Sequence, residues 1–256
     1  MTDISDEKLA SAFGVSTQLL SFIPELLDDL WELGGSSRIM TDILRPLNLP
    51  PDSTRVLDLA CGKGAASITI ARELGFRVTG VDIFPPFIQD AKKLARKNGV
   101  EELCQFRIAD AQKAVLEADD FNIVLLASAI NVFGSLDRCI ADMRRCIKNG
   151  GHMVIDSGFL KDENRSFGLF VTHDASHRQL QKHGDKIVDE ILRSEEDIKE
   201  VCDSYLNALK SKVEKIAAIQ PKVAEELTQY IRSQEEVSEA MIKRTTGVVW
   251  LIRKTE

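Results

Sequence analysis

The chain has 256 residues, 44% of them hydrophobic and 29% charged, with a formal net charge of −7; this composition excludes a disordered chain, and the acidic balance argues against a nucleic-acid partner. Its five cysteines (Cys61, Cys104, Cys139, Cys146 and Cys202) form no C-x-x-C pair, which argues against a zinc site and fits reduced thiols in a cytoplasm. The opening "MTDISDEKLA" is polar and does not read as a secretory signal, and the apolar run near Phe121–Gly134 is too short to span a bilayer.

Residues up to about Leu49 read as helical, with a break at Gly34-Gly35 and a restart at "SSRIMTDILRPL", capped by Ser36 or Ser37. "LNLPPDST" is a turn-rich connector. From Arg55 the pattern alternates. "RVLDLA" predicts a buried strand and "GAASITIAREL" a helix closed by Gly75. "FRVTGVD" predicts a second strand, and "PPFIQDAKKLARKNG" a helix with proline at its start and Asn98-Gly99 at its end. "CQFRIAD" and "FNIVLLASA" predict strands three and four. "SLDRCIADMRRCIKNGG" is an amphipathic helix and "HMVIDSG" a fifth strand. Beyond Asp156, "HDASHRQLQKHG" reads as a helix, and "DKIVDEILR" and "TGVVWLIRK" as strands. Between these last two strands, residues 194–244 predict a helical insertion of two or three helices. Pro221 opens one of them, and Ser194/Asp197 and Ser233/Glu236 are each spaced as a capping box. The alternation predicts an α/β fold, with a parallel sheet covered by helices on both faces.

In such sheets ligands bind at the carboxyl ends of the strands. "VLDLACGKGAAS" sets Asp58 in the first strand and Gly62 and Gly64 in the turn before a helix. Backbone N–H groups and the helix macrodipole there face an anion. Two ligand classes use such a turn: a dinucleotide through its pyrophosphate, and S-adenosylmethionine through its methionine end. Gly62, Gly64 and Ser67 make a degraded dinucleotide fingerprint. Asp58 would repel a pyrophosphate but attract an ammonium or a sulfonium. Asp82 ends the second strand about twenty residues on, where a carboxylate accepts both ribose hydroxyls of either ligand. Asp110, after the third strand, can accept from an adenine amino group. Each feature alone has a plainer reading: tight packing for the glycines, a helix N-cap for Asp82, a solvated loop for Asp110. Their placement at consecutive strand ends is what points to a site.

On "VLDLACGKG", "GVDI", "IADA" and "FNIVLLASAINVFG" the chain resembles the class I S-adenosylmethionine-dependent methyltransferases. Within them it is similar to the small-molecule branch typified by ubiquinone and menaquinone biosynthesis. The resemblance covers roughly Arg55–Asp156 and, more loosely, the two late strands. It implies a Rossmann-like, doubly wound seven-stranded sheet with an antiparallel last strand. It also implies an N-terminal helical cap over residues 1–50 and a methyltransferase domain over 51–256 that carries the insertion. By the same resemblance, Asp58, Ala60, Gly62 and Gly64 line the methionine part of S-adenosylmethionine. Asp82 binds the ribose, Ile83 packs on the adenine, Asp110 and Ala111 read its edge, and Ala127 and Ser128 lie beneath the sulfonium. Ala60 stands where the family pattern usually has glycine.

The expected activity is in-line methyl transfer to a small-molecule acceptor in the cytoplasm, with no metal, nucleic acid or membrane involved. An NAD(P)-dependent oxidoreductase and a catalytically silent S-adenosylmethionine-binding protein stay open as alternatives. On the acceptor side, His173 and His177 sit one turn apart with Asp174 between, at a helix start expected to face the cleft. That pattern fits a general base, a metal pair or a solvated helix start; His173 is the expected base. Asn131 is expected to orient a polar acceptor group. Trp31, Phe133, Phe159, Phe167 and Phe170 are candidate pocket walls, with plain core packing as the alternative. Leu206, Leu209, Val213 and Ile216 form a helical stripe that suits a lid, a homodimer contact or internal packing.

Overall fold

The computed structural model describes residues Ile4–Thr255. Helix α1 (Asp6–Phe13) starts at Ser5, whose hydroxyl accepts from the Lys8 N–H, and stops at Gly14 in the left-handed conformation. The single turn α2 (Ile23–Leu26) follows, then α3 (Ser37–Leu44), capped by Ser36 through the Ile39 N–H. From there strands and helices alternate: β1 (Arg55–Leu59), α4 (Ala65–Leu74), β2 (Arg77–Asp82), α5 (Pro85–Lys97), β3 (Cys104–Ile108), α6 (Ala111–Glu117), β4 (Phe121–Ala127), α7 (Leu136–Cys146) and β5 (Ile147–Leu160). The chain continues through α8 (His173–Leu180), β6 (Lys186–Leu192), α9 (Glu195–Ile219), α10 (Ala224–Arg244) and β7 (Thr245–Arg253).

The seven strands form one sheet in the order β3-β2-β1-β4-β5-β7-β6. β1 through β5 pair in parallel, and β7 runs antiparallel to both of its neighbours. This is the expected α/β, Rossmann-like sheet with an antiparallel last strand. Strand order reverses between β1 and β4, which places the crevice of a doubly wound sheet at their carboxyl ends.

Register assigns the side chains to two faces, because residues directly opposite each other point the same way. Leu57, Leu59, Leu126, Ile155 and Trp250 share one face and form a core with Ala114, Leu136, Ile140, Met143 and Leu180 of α6, α7 and α8. The other face carries Asp58 toward α4, where the Ser67 hydroxyl donates to its carboxylate.

The chain divides into two compact units: Met1–Trp31 with Ser194–Lys243, and Glu32–Arg193 with Arg244–Glu256. The second unit holds the sheet. In the first, Leu209, Val213 and Ile216 of α9 are buried and Leu206 is half-buried. α2 packs against α9, Tyr205 and Tyr230 hydrogen-bond between α9 and α10, and Lys210 pairs with Glu235. The apolar stripe is therefore covered.

Three local expectations change. "AQKAVLE" folds as α6, which the apolar pattern did not isolate; Asp110 caps it, accepting from the Gln112 N–H. β5 starts at Ile147 rather than His152, because Asn149-Gly150-Gly151 continues the strand instead of closing α7. Gly150 takes φ +74 and donates its N–H to Lys254 O, and the β4–β5 register jumps there. The Ser194/Asp197 capping box forms in both directions, whereas Ser233 lies inside α10 and donates to Tyr230 O. That helix is already nucleated by the turn at Pro221, so Ser233 has no helix start to cap.

Candidate active site

Three acids lie on one face of the sheet, at or next to the carboxyl ends of the strands. Asp58 pairs in register with Gly80 of β2 and Leu125 of β4; Leu125 pairs with Val154 of β5. Asp82 and Asp156 are two residues beyond Gly80 and Val154, so they face the same way.

Asp58 is fully buried and accepts from the Ser67 hydroxyl at 2.6 Å and from the Ser67 backbone N–H. Burial pushes its carboxyl up to about 7; the Ser67 bonds oppose this, and the charge of Asp82 adds to it. Asp82 ties two loops together. Its Oδ2 accepts from the Gly62 N–H at 2.9 Å and its Oδ1 from the Phe84 N–H at 2.8 Å. Burial raises its pKa too, against the pull of these backbone donors. Each oxygen keeps a further acceptor site. Asp110, also buried, stands just past β3 as the cap of α6, and Ala111 is the first residue of that helix. Ile83 is half-buried beside Asp82.

The turn after β1 runs through left-handed residues at Ala60, Gly62 and Gly64, with φ of +55, +53 and +76. At Gly64 a Cβ would stand 2.8 Å from the Phe106 ring, so glycine is required both for conformation and for space. Ala60 has no such freedom and carries strain of about 1 kcal/mol. Ala60→Gly is expected to raise the melting temperature of the ligand-free chain by roughly 2–4 °C; a fall in a thermal scan would show that the turn is relaxed with alanine.

At the end of β4, Ala127 is half-buried, and the exposed Ser128, at φ +51, donates its N–H to Asp156 O at 2.8 Å. Gly35 lies over this point: a Cβ on it would come within 2.9 Å of Ala127 Cβ. The Gly34-Gly35 pair thus serves a close approach and not the helix stop expected of it, since α2 has already ended at Leu26. Asp156 Oδ2 accepts from the Ser36 N–H at 2.8 Å, and its Oδ1 is 3.8 Å from the buried Arg193 guanidinium. Burial pushes Asp156 up to about 6, although Arg193 and the Ser36 N–H pull it down. Asp156 Oδ1, Ser157 Oγ and Arg193 Nε are buried without a hydrogen-bond partner among the described residues. Ser157, one residue past Asp156 on β5, points to the opposite face; Asp156 and Arg193 stay together next to Ala127, ready to meet a polar ligand group. Sequence reasoning missed this pair, because Asp156 and Arg193 are brought together only by the sheet.

Asn131 is exposed in the turn that follows β4. His173 is elsewhere. Its Nε2 lies 3.0 Å from both oxygens of Glu190, and His177 Nε2 lies 2.8 Å from Glu190 Oε2. Glu190 shares the row of Leu59, Leu126, Ile155 and Trp250, on the face opposite Asp58 and four strand spacings, about 19 Å, from β1. Phe133 belongs to the core on that same face, with Phe159 and Phe170 packed on it, and Phe167 stacks on Phe170. Trp31, in the other unit, is half-buried.

Chemically, the turn and the acids make a bipolar site. The first turn of α4, which opens at Ala65 just past the glycines, offers N–H groups to a carboxylate. Asp58 and Asp82, held above the usual carboxylate range by burial, are short of positive charge and suit a cation or hydroxyl donors.

Comparison with known proteins agrees with this geometry. The chain is 26% identical to norajmaline N-methyltransferase of Rauvolfia serpentina over 47% of its own length and 43% of that protein. It is 28% identical to demethylmenaquinone methyltransferase of Bacteroides fragilis over 40% of its length and 42% of that protein. It thus spans less than half of either relative. In fold it is similar to the S-adenosylmethionine-dependent methyltransferase of Geobacter sulfurreducens solved with S-adenosyl-L-homocysteine. The TM-score is 0.78 at 20% identity, over 91% of this chain and 97% of that one. Residues 51–244 match the family described as a methyltransferase domain. That match spans the glycine turn and the three acids that share one face of the sheet, and the chain belongs to this methyltransferase family.

Proposed function

We propose that the chain binds S-adenosylmethionine and transfers its methyl group to a small-molecule acceptor. The observation that carries this reading is the link from Asp82 to the Gly62 N–H: one carboxylate fixes the turn for an amino-acid tail while keeping acceptor sites for ribose hydroxyls. When bound, S-adenosylmethionine supplies a methyl group on a sulfonium, already activated for in-line displacement. The residues of the chain bind, orient and exclude water. Gly62 and Gly64 shape the turn, and their own amides are held by Asp82 Oδ2 and Cys61 O; the first-turn amides of α4 take the carboxylate of the methionine tail, and Asp58 takes its ammonium. Ala60 shapes the turn between them. Asp82 accepts from the ribose, Ile83 packs on the adenine, and Asp110 and Ala111 hold the adenine edge. Ala127 and Ser128 flank the sulfonium, next to the pair of Asp156 and Arg193. That pair and Asn131 orient the polar part of the acceptor.

Proton removal is not required of His173 in this reading, since Glu190 engages its Nε2. The relatives named for norajmaline and demethylmenaquinone support a small organic acceptor. The five free cysteines support a reducing, cytoplasmic setting, and among the described residues no helix is long and apolar enough to cross a membrane. With the α9 stripe covered, we place no homodimer contact on it.

The test is a screen of small aromatic, quinol and amine acceptors with S-adenosylmethionine labelled in its methyl group. Label transferred to one acceptor class, and lost in Asp156→Ala, supports the reading. Tight S-adenosylhomocysteine binding with no transfer to any acceptor would favour a silent cofactor-binding protein.

A further inference from the structure

A second site stands on the opposite face of the sheet. His173 and His177 project from one side of α8, a turn apart, and their rings lie 4.2 Å from each other. Glu190 of the edge strand β6 meets both. The three ligand atoms lie within 4.8 Å of one another, and all three side chains are half-buried, leaving a route from solvent.

The crowding at Glu190 is uneven. Its Oε2 has three nitrogens close by: His173 Nε2 at 3.0 Å, His177 Nε2 at 2.8 Å and Trp250 Nε1 at 2.5 Å. Its Oε1 has His173 Nε2 alone, at 3.0 Å. A carboxylate oxygen offers about two lone-pair positions. Three nitrogens converging on one oxygen exceed that number while the neighbouring oxygen is underused.

We infer that His173, His177 and Glu190 form a binding site for a divalent transition ion of the zinc type. The separations fit. Ligands about 2.0–2.1 Å from a tetrahedral zinc stand roughly 3.3 Å apart; His173 Nε2 and Oε1, at 3.0 Å, need to open by only a few tenths of an ångström, and all three ligand atoms already lie within 4.8 Å of one another. The donor set fits as well. Two imidazoles and one carboxylate suit zinc, cobalt or nickel and are poor for calcium or magnesium, which take oxygen ligands. An ion held by both Nε2 lone pairs and Oε1 leaves Oε2 to the Trp250 indole. That N–H then acts as the outer partner that orients a ligating carboxylate. Three protein ligands leave a fourth position to solvent.

The site joins the start of α8 to β6, the edge strand that β7 alone pairs within the sheet. An ion there clips the edge of the sheet to the helix covering it. It lies across the sheet from Asp58 and does not depend on the methyltransferase reading.

The full chain, stripped with EDTA and desalted, is titrated with Co²⁺ alone and then with Zn²⁺. The expected result is one Co²⁺ per chain, with the visible absorption of low-coordinate cobalt and without the thiolate charge-transfer band of a cysteine site. Zn²⁺ displaces it stoichiometrically, raises the melting temperature and slows hydrogen exchange in β6. His177→Ala is expected to abolish uptake, and Trp250→Phe to weaken it about 10–100-fold. His183→Ala, outside the trio, leaves uptake unchanged. Melting in EDTA reports whether each variant is folded. A folded wild-type chain that takes up neither ion contains only a hydrogen-bonded trio and overturns the proposal. Uptake unaltered by both His173→Ala and His177→Ala also overturns it.

Discussion

Asp58→Asn is expected to make the ligand-free protein more stable at pH 8 and, at the same time, a poorer binder of S-adenosylhomocysteine. The buried Asp58 carboxyl is pushed up to about 7, while in the unfolded chain it titrates near 4. Between those values the folded protein holds the proton and the unfolded chain does not. Stability therefore falls as pH rises from about 4 to about 7, and the full penalty remains above that. The shift corresponds to a penalty of about 4 kcal/mol as an upper limit. Asp156, pushed up to about 6, adds to the same trend. Asparagine keeps an oxygen for the Ser67 hydroxyl and removes the charge. The variant should melt several degrees higher than wild type at pH 8 and nearly level with it at pH 4. Binding moves the other way, because the ligand's ammonium loses an ionised partner worth about 1.5–3 kcal/mol, or roughly 10–100-fold in affinity. Parallel scans at the two pH values, with calorimetry at pH 8, check both signs. Destabilisation at pH 8, or unchanged affinity, would remove Asp58 from the site.

Asp82→Ala should damage both fold and binding. Its carboxylate satisfies the Gly62 and Phe84 N–H groups, and leaving each without a partner costs about 1–3 kcal/mol. The glycine turn loses its brace and the ribose its acceptor, so affinity for S-adenosylhomocysteine is expected to fall at least about 100-fold. Asp82→Asn keeps one acceptor oxygen and turns its amide donors toward a backbone donor, so intermediate losses are expected. Calorimetry gives the affinities and denaturant titration the stabilities. Asp82→Ala binding as tightly as wild type would assign this acid to the turn alone.

The periodic part of the fold was legible because each strand of the parallel sheet is a short apolar run bounded by glycine, proline or an N-cap. The Ser194/Asp197 box was equally readable, since both of its bonds lie within four residues. Features that depend on tertiary context were not. α6 is short, and its apolar residues Ala111, Ala114 and Val115 gain meaning only against the core. Gly150 read as a helix stop, because nothing local shows that Lys254 O waits for its N–H. The acids of β1 and β2 could be aligned from their positions at strand ends. Asp156 and Arg193 could not, because they lie far apart in sequence and meet only once β5, β7 and β6 are in register. The histidines were visible as a pair one turn apart. Their partner was not, because the face that Glu190 takes is set by its pairing with Trp250.

The most direct test is calorimetric titration of S-adenosylhomocysteine into the full wild-type chain at pH 7 and pH 9, in buffers of different ionisation enthalpy. Arrival of an ammonium beside Asp58 should drive off its proton. One ligand per chain is expected, with about half a proton released at pH 7 and no release at pH 9, where the ligand's own amine is partly deprotonated and binding takes protons up instead. A folded chain that gives no binding heat at either pH, or that binds without releasing a proton at pH 7, would contradict a cation held among the strand-end acids.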